Sequence, residues 1–146
     1  MKAEYRAIRL KQLSQSLAPF DRAKTVSRPI RGWLRAVREA LGITLAEVGQ
    51  TTRTTKQRIQ QFEKSEANDR ITLRSLRRIA EAMDCELVYA IVPKSGMIGD
   101  LAGQRAQREA AGRVLAVEHT MALENQSPGG VNELIEEETK RIRKKP

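Results

Sequence analysis

One cysteine and one histidine occur among the 146 residues of the chain. A single thiol, Cys85, cannot build an internal disulfide framework, and with His119 alone it cannot assemble the ligand set of a metal site. No further ligand stands at metal spacing from either residue. Cys85, at the start of an apolar run, and His119, inside a helical one, are therefore expected to be packing or surface residues. No apolar run approaches the roughly 18 residues of a membrane span. The opening segment MKAEYRAIRL lacks the apolar core of a secretory signal, so a cytoplasmic protein is expected. No glycine-rich phosphate loop, nucleophile-elbow pattern or pair of catalytic groups is present, and neither enzymatic activity nor a cofactor is expected.

Positive charge is plentiful. The formal net charge is +9, distributed as +5 over residues 1–30, +4 over 31–94 and 0 over 95–146. The excess in the first two thirds favours a polyanion such as nucleic acid through counterion release. The neutral last third calls for a different explanation.

Hydrophobic periodicity divides the chain into pieces. In residues 3–18, Tyr5, Ile8, Leu10, Leu13 and Leu17 recur at a spacing near 3.6 and predict an amphipathic helix ended by Pro19. Residues 1–29 form this helix and a linker. Residues 30–94 form a domain with helices at about 31–41, 44–51, 55–64 and 72–83. The run CELVYAIV, residues 85–92, reads as a short strand bounded by Pro93. An isolated strand is unstable in water, so it requires a partner: another extended stretch, or, as we favour, the same strand of a second subunit in a symmetric homodimer. Another helical segment spans 98–126, with Leu101, Ala106, Ala110, Val114, Val117 and Met121 on a rough stripe. Ser-Pro-Gly-Gly stops it. The charged tail, 127–146, places acids before bases, which suits a short helix that frays.

The informative block is GITLAEVGQTTRTTKQRIQQFEKSE, Gly42 to Glu66. Thr44 is placed to cap one helix, with Leu45 and Val48 turned inward and Gly49 permitting close approach of the next. Thr55 is placed to cap the second, with Ile59 and Phe62 inward. Lys56, Gln57, Gln60, Gln61 and Lys64 then project outward. Glutamine pairs bidentately with adenine and lysine reaches guanine acceptors. The competing explanation is a merely solvated helix face, which the agreement of the whole block disfavours.

The spacing of Thr44, Val48, Gly49, Thr55, Ile59, Phe62 and Glu63, followed by TLRSLRRIAEAMDCEL, resembles the lambda-repressor-like (XRE-type) helix-turn-helix domain over residues 31 to about 92. The resemblance implies five short helices; with the short C-terminal strand read at 85–92 and the additional helix after it, the expected fold is mainly α. The resemblance places Lys56, Gln57 and Gln61 at base-contacting positions, and Thr55, Arg58 and Lys64 at phosphate-contacting ones, on double-stranded operator DNA. Two departures stand out. Arg53 occupies the turn position usually filled by glycine, which implies strain, and Leu45 replaces the usual glutamine after the first cap, removing a phosphate contact.

ITLRSLRRIAEAMDCELVYAIVP together with EHTMALENQ resembles the mobile mystery protein A family, small helix-turn-helix proteins encoded beside a Fic-domain protein. Fic proteins commonly transfer AMP from ATP to hydroxyls, and their antitoxins carry an inhibitory helix of pattern Ser or Thr, three residues, Glu, then Gly or Asn. Thr120, Glu124 and Asn125 match it. The resemblance implies that Glu124 meets an active-site arginine of a Fic toxin where the ATP γ-phosphate would lie, with Thr120 adding a hydrogen bond, in a complex as large as a heterotetramer. Val114, Val117 and Met121 would supply the docking face, or pack on the chain's own N-terminal helix. The expected protein is an antitoxin and autorepressor; the alternative is a DNA-binding regulator with no Fic partner.

Overall fold

The computed structural model describes residues 2–123 and 130–144. Helices α1 (Ala3–Leu17), α2 (Trp33–Ala40), α3 (Leu45–Thr52), α4 (Lys56–Ala67), α5 (Leu73–Glu81), α6 (Ile98–Leu123) and α7 (Val131–Lys144) follow one another, with a 3₁₀ segment at Ala18–Thr25. They fall into two compact units, one of Arg22–Tyr89 and one of Met1–Asp21 with Ala90–Pro146.

The Arg22–Tyr89 unit is built on a core of Leu34, Val48, Ile59, Ile79 and Met83, all buried, with Val37, Leu45, Phe62 and Leu76 packed around it. Each of α2 to α5 therefore contributes one apolar stripe to a common centre. Ile59 of α4 is fully enclosed, and burial of an aliphatic side chain of this size stabilises by roughly 1.5–3 kcal/mol.

Three of these helices start on a threonine. The hydroxyls of Thr44, Thr55 and Thr72 accept from the backbone N–H groups of Glu47, Arg58 and Ser75, each at 3.2 Å, satisfying donors that the first turn leaves free. At Thr44 the cap is reciprocal, because Glu47 Oε2 accepts from the Thr44 N–H at 2.6 Å. The hydrogen bonds from the Thr44 backbone, and then from its hydroxyl, lower the Glu47 pKa. A depressed folded-state pKa favours folding above the unfolded value, and this contribution fades as pH falls through the folded one.

The ends of the four helices share one device. A residue in the left-handed region follows each helix, at Gly42 (φ 68°), Arg53 (φ 55°), Asp69 (φ 57°) and Asp84 (φ 56°). The N–H of the next residue reaches back to close the last turn, as Thr54 does to Gly49 O at 2.8 Å and Cys85 to Ala80 O at 2.9 Å. This is the Schellman arrangement, which glycine fills without strain and which aspartate tolerates better than larger side chains.

The run expected to be a strand is not one. No strand occurs among the described residues, and beyond Cys85 the backbone from Glu86 to Val92 makes no hydrogen bond to another described segment. Composition favours extended backbone here, but a ladder needs a second extended run beside it, and no such run lies alongside.

In the other unit, α6 packs against both α1 and α7. Ala106 and Ala110 are buried at the centre of α6, and such small side chains admit close helix approach. On α7, Val131, Ile135, Thr139 and Ile142 are half-buried at helical spacing along a helix of 14 residues. Arg113 of α6 donates to Glu138 of α7 at 3.1 Å and to Glu109 at 2.6 Å. On α1, Leu10 and Leu17 are half-buried while Tyr5, Ile8 and Leu13 are exposed, so only part of the expected stripe packs. No described helix is long and apolar enough to cross a membrane.

Candidate nucleic-acid interface

The surface that could meet a duplex is set by the junction between α3 and α4. Gly49 is buried in α3, and a Cβ built there would lie 2.7 Å from the Thr54 carbonyl oxygen. Only a residue without a side chain lets the turn close this tightly. Arg53, at φ 55° and ψ 45°, then reverses the chain, and Thr55 caps α4 two residues later. Arg78 of α5 donates to the Thr52 carbonyl, holding the end of α3 against α5.

The phase of α4 follows from its buried stripe. Ile59, Glu63 and Glu66 are buried and Phe62 is half-buried, a repeat of three to four residues that fixes one face inward. Thr55, Lys56, Gln57, Arg58, Gln60, Gln61 and Lys64 are all exposed. Arg58 is not loose: it donates to Gln61 Oε1 at 3.3 Å, and its guanidinium carbon lies 4.7 Å from the centre of the Phe62 ring. That stacking leaves fewer rotamers to lose on binding a phosphate.

Two buried carboxylates lock α4 to α2. Glu63 receives a two-pronged contact from Arg38, Nε to Oε1 at 2.6 Å and Nη2 to Oε2 at 3.2 Å. The hydrogen bond to Glu63 raises the Arg38 pKa, and burial opposes it. Glu66 accepts from the backbone N–H groups of Trp33 at 2.7 Å and Leu34 at 2.9 Å. It thereby caps α2 from another helix, because Gly32 at the cap position has no side chain to do so. Arg28 closes the C-terminal end of α4, donating to the carbonyls of Glu66 and Ala67 and pairing with Asp69. Neither glutamate was singled out by sequence for this work.

A groove beside α4 also escaped sequence reading. It is lined by Arg58, Gln61 and Lys64 of α4 and by Arg70, Thr72 and Ser75 at the start of α5. Arg70 is exposed in the connecting loop. The cation two residues before the Thr72 cap was the available signal.

The second predicted site is only partly within view. Thr120 is exposed on α6 and its hydroxyl donates to the Ala116 carbonyl of its own helix at 3.0 Å; Glu124 and Asn125 lie outside the described residues. Val114 is half-buried and Val117 exposed, and both line a groove with Leu134 of α7. His119 is exposed and Cys85 half-buried.

No curated protein and no solved structure matches the chain significantly. Residues 34–89 match the family described as "Helix-turn-helix", which covers α2 to α5 and the extended run after them. The chain therefore carries a helix-turn-helix domain of the XRE type, the module of DNA-binding transcriptional regulators.

Proposed function

We propose that the chain is a sequence-specific repressor that lays α4 in the major groove of its operator. Lys56, Gln57, Gln60 and Gln61 read base edges, while Thr55, Arg58, Lys64 and Arg70 hold phosphates on either side. One observation carries this reading: the outward face of α4 is polar and cationic along its length, while its inward face is pinned by Ile59, Glu63 and Glu66. A helix so fixed presents its side chains in one register, which base discrimination requires.

The protein acts as a symmetric dimer, joined through residues 85–92. Support comes from the unpaired backbone of this run and from the exposure of Val88, Tyr89 and Ile91 along it. Selection from a random-sequence duplex library tests both points. Recovered sites should be palindromic, with half-site centres a whole number of helical turns apart. Gln57→Ala should weaken binding to the selected site by about 5- to 150-fold, each bidentate pair contributing roughly 1–3 kcal/mol, and relax selection at one position. Arg70→Ala should instead weaken all duplexes alike. A Gln57→Ala protein with undiminished affinity refutes the base-reading assignment, and recovery of lone half-sites refutes the dimer.

A second reading rests on the pattern of Thr120, Glu124 and Asn125. In it the chain is also the antitoxin of a Fic-type AMP transferase, and Glu124 holds the partner's active-site arginine away from ATP. The exposed Val117 and the groove it lines with Leu134 give such a partner an apolar foothold. Glu124→Gly should release AMP transfer by the Fic-domain partner in a nucleotide-incorporation assay while leaving operator binding intact. Continued full inhibition by that variant rejects this reading.

A further inference from the structure

Four helices of the Arg22–Tyr89 unit end on the same turn, and three of the four left-handed residues are explained within the chain. Gly42 has no Cβ to strain. Asp84 has the short polar side chain that tolerates this region, and Asp69 has both that side chain and an ion pair with Arg28. Arg53 is the exception. It carries a long side chain at φ 55° and ψ 45°, and its guanidinium meets no carboxylate, carbonyl or ring among the described residues. It is exposed, so its stem covers no core. Within the chain this arginine has a backbone cost and no compensating contact. It also lies two residues ahead of the Thr55 cap, where the positive end of α4 makes a cation less welcome than a neutral residue.

We infer that Arg53 is a DNA-phosphate contact, held at the α3–α4 turn so that its guanidinium grips the backbone strand flanking the point where α4 enters the groove. The inference rests on the DNA-reading role of α4 and deepens it. An anionic phosphate supplies what the chain does not: a partner for the guanidinium and a counter-charge to the helix start. The turn is tight, because Thr54 N–H is bonded to Gly49 O at 2.8 Å and even a Cβ at Gly49 would lie 2.7 Å from the Thr54 carbonyl oxygen. A side chain mounted there is therefore aimed by backbone rather than by its own neighbours.

Arg53→Gly and Arg53→Lys separate this role from a structural one. In the full chain, Arg53→Gly should raise the melting temperature by a few degrees, since glycine relieves the left-handed strain. Its affinity for a random-sequence duplex of about 30 base pairs should nevertheless fall severalfold, and the slope of log affinity against log salt should become shallower by about 1. Arg53→Lys should retain the wild-type slope. A glycine variant that binds with unaltered affinity and slope overturns the inference while leaving the role of α4 intact, as does a lysine variant that behaves like glycine. A wild-type chain that binds no duplex at any salt concentration overturns both.

Discussion

Glu63→Ala should destabilise the helix-turn-helix unit by about 3–5 kcal/mol, because it removes the two-pronged partner of the half-buried Arg38 and leaves that guanidinium the more distant Glu39 Oε1, at 3.8 Å, as its carboxylate. The two side chains are 6% and 11% exposed and joined by two hydrogen bonds, so solvent cannot take over the contact as it would at the surface. A domain of this size is stable by roughly 5–15 kcal/mol in all, and the loss should bring the denaturation midpoint down sharply. Removing both charges is a different experiment. Arg38→Met with Glu63→Leu should recover much of the loss, since apolar replacements of similar volume often match a buried pair. Recovery will not be complete, because Arg38 also donates to the Ile43 carbonyl at 3.1 Å. Chemical denaturation followed by circular dichroism measures both changes. A single-variant loss below about 1 kcal/mol would show that the pair behaves as a surface one.

Glu66→Ala is expected to cost roughly 2–5 kcal/mol. It removes one carboxylate that accepts two backbone hydrogen bonds at the start of α2, and hydrogen bonds to a charged group contribute about 1.5–3 kcal/mol each. Part of the loss is the favourable meeting of an anion with a helix N-terminus. Gly32 belongs to the same device: at φ 86° it adopts a backbone that favours glycine, and a Cβ there would come within 2.6 Å of Glu66 Oε2. Glu66→Gln should rescue little, because its NH₂ turns a donor towards a donor. Both variants should bind operator normally well below their melting temperatures, since the outward face of α4 is untouched. A fall in melting temperature of only a degree or two would rule out the capping role, as 1 kcal/mol corresponds to about 4–8 °C in a small domain.

These two residues also mark where sequence reading stopped. The positions of α2 to α5 were legible because local signals agree: apolar residues at helical spacing, a threonine at three starts, and a break between successive helices. The outward set from Lys56 to Lys64 followed once Ile59 and Phe62 were assigned inward. Glu63 and Glu66 lie on the inward side of the same helix, yet a charged residue by itself reads as solvent-facing. Their partners are on α2, Arg38 being 25 positions away from Glu63, and no local pattern joins them. The run 85–92 failed for the opposite reason. Its β-branched composition is local, but strand pairing is not, and composition cannot provide the neighbouring ladder. The acidic-then-basic tail shows the same limit. Its half-buried stripe on α7 becomes meaningful only beside the small residues of α6.

Trp33, the only tryptophan of the chain, stands at the first position of α2 with its backbone held by Glu66. Its indole is partly open to water, so its emission will respond when that junction loosens. The unit made of α1, α6 and α7 holds no tryptophan to obscure the signal. Melting of the DNA-binding half can thus be followed optically in the intact protein, without a label and without cutting the polypeptide.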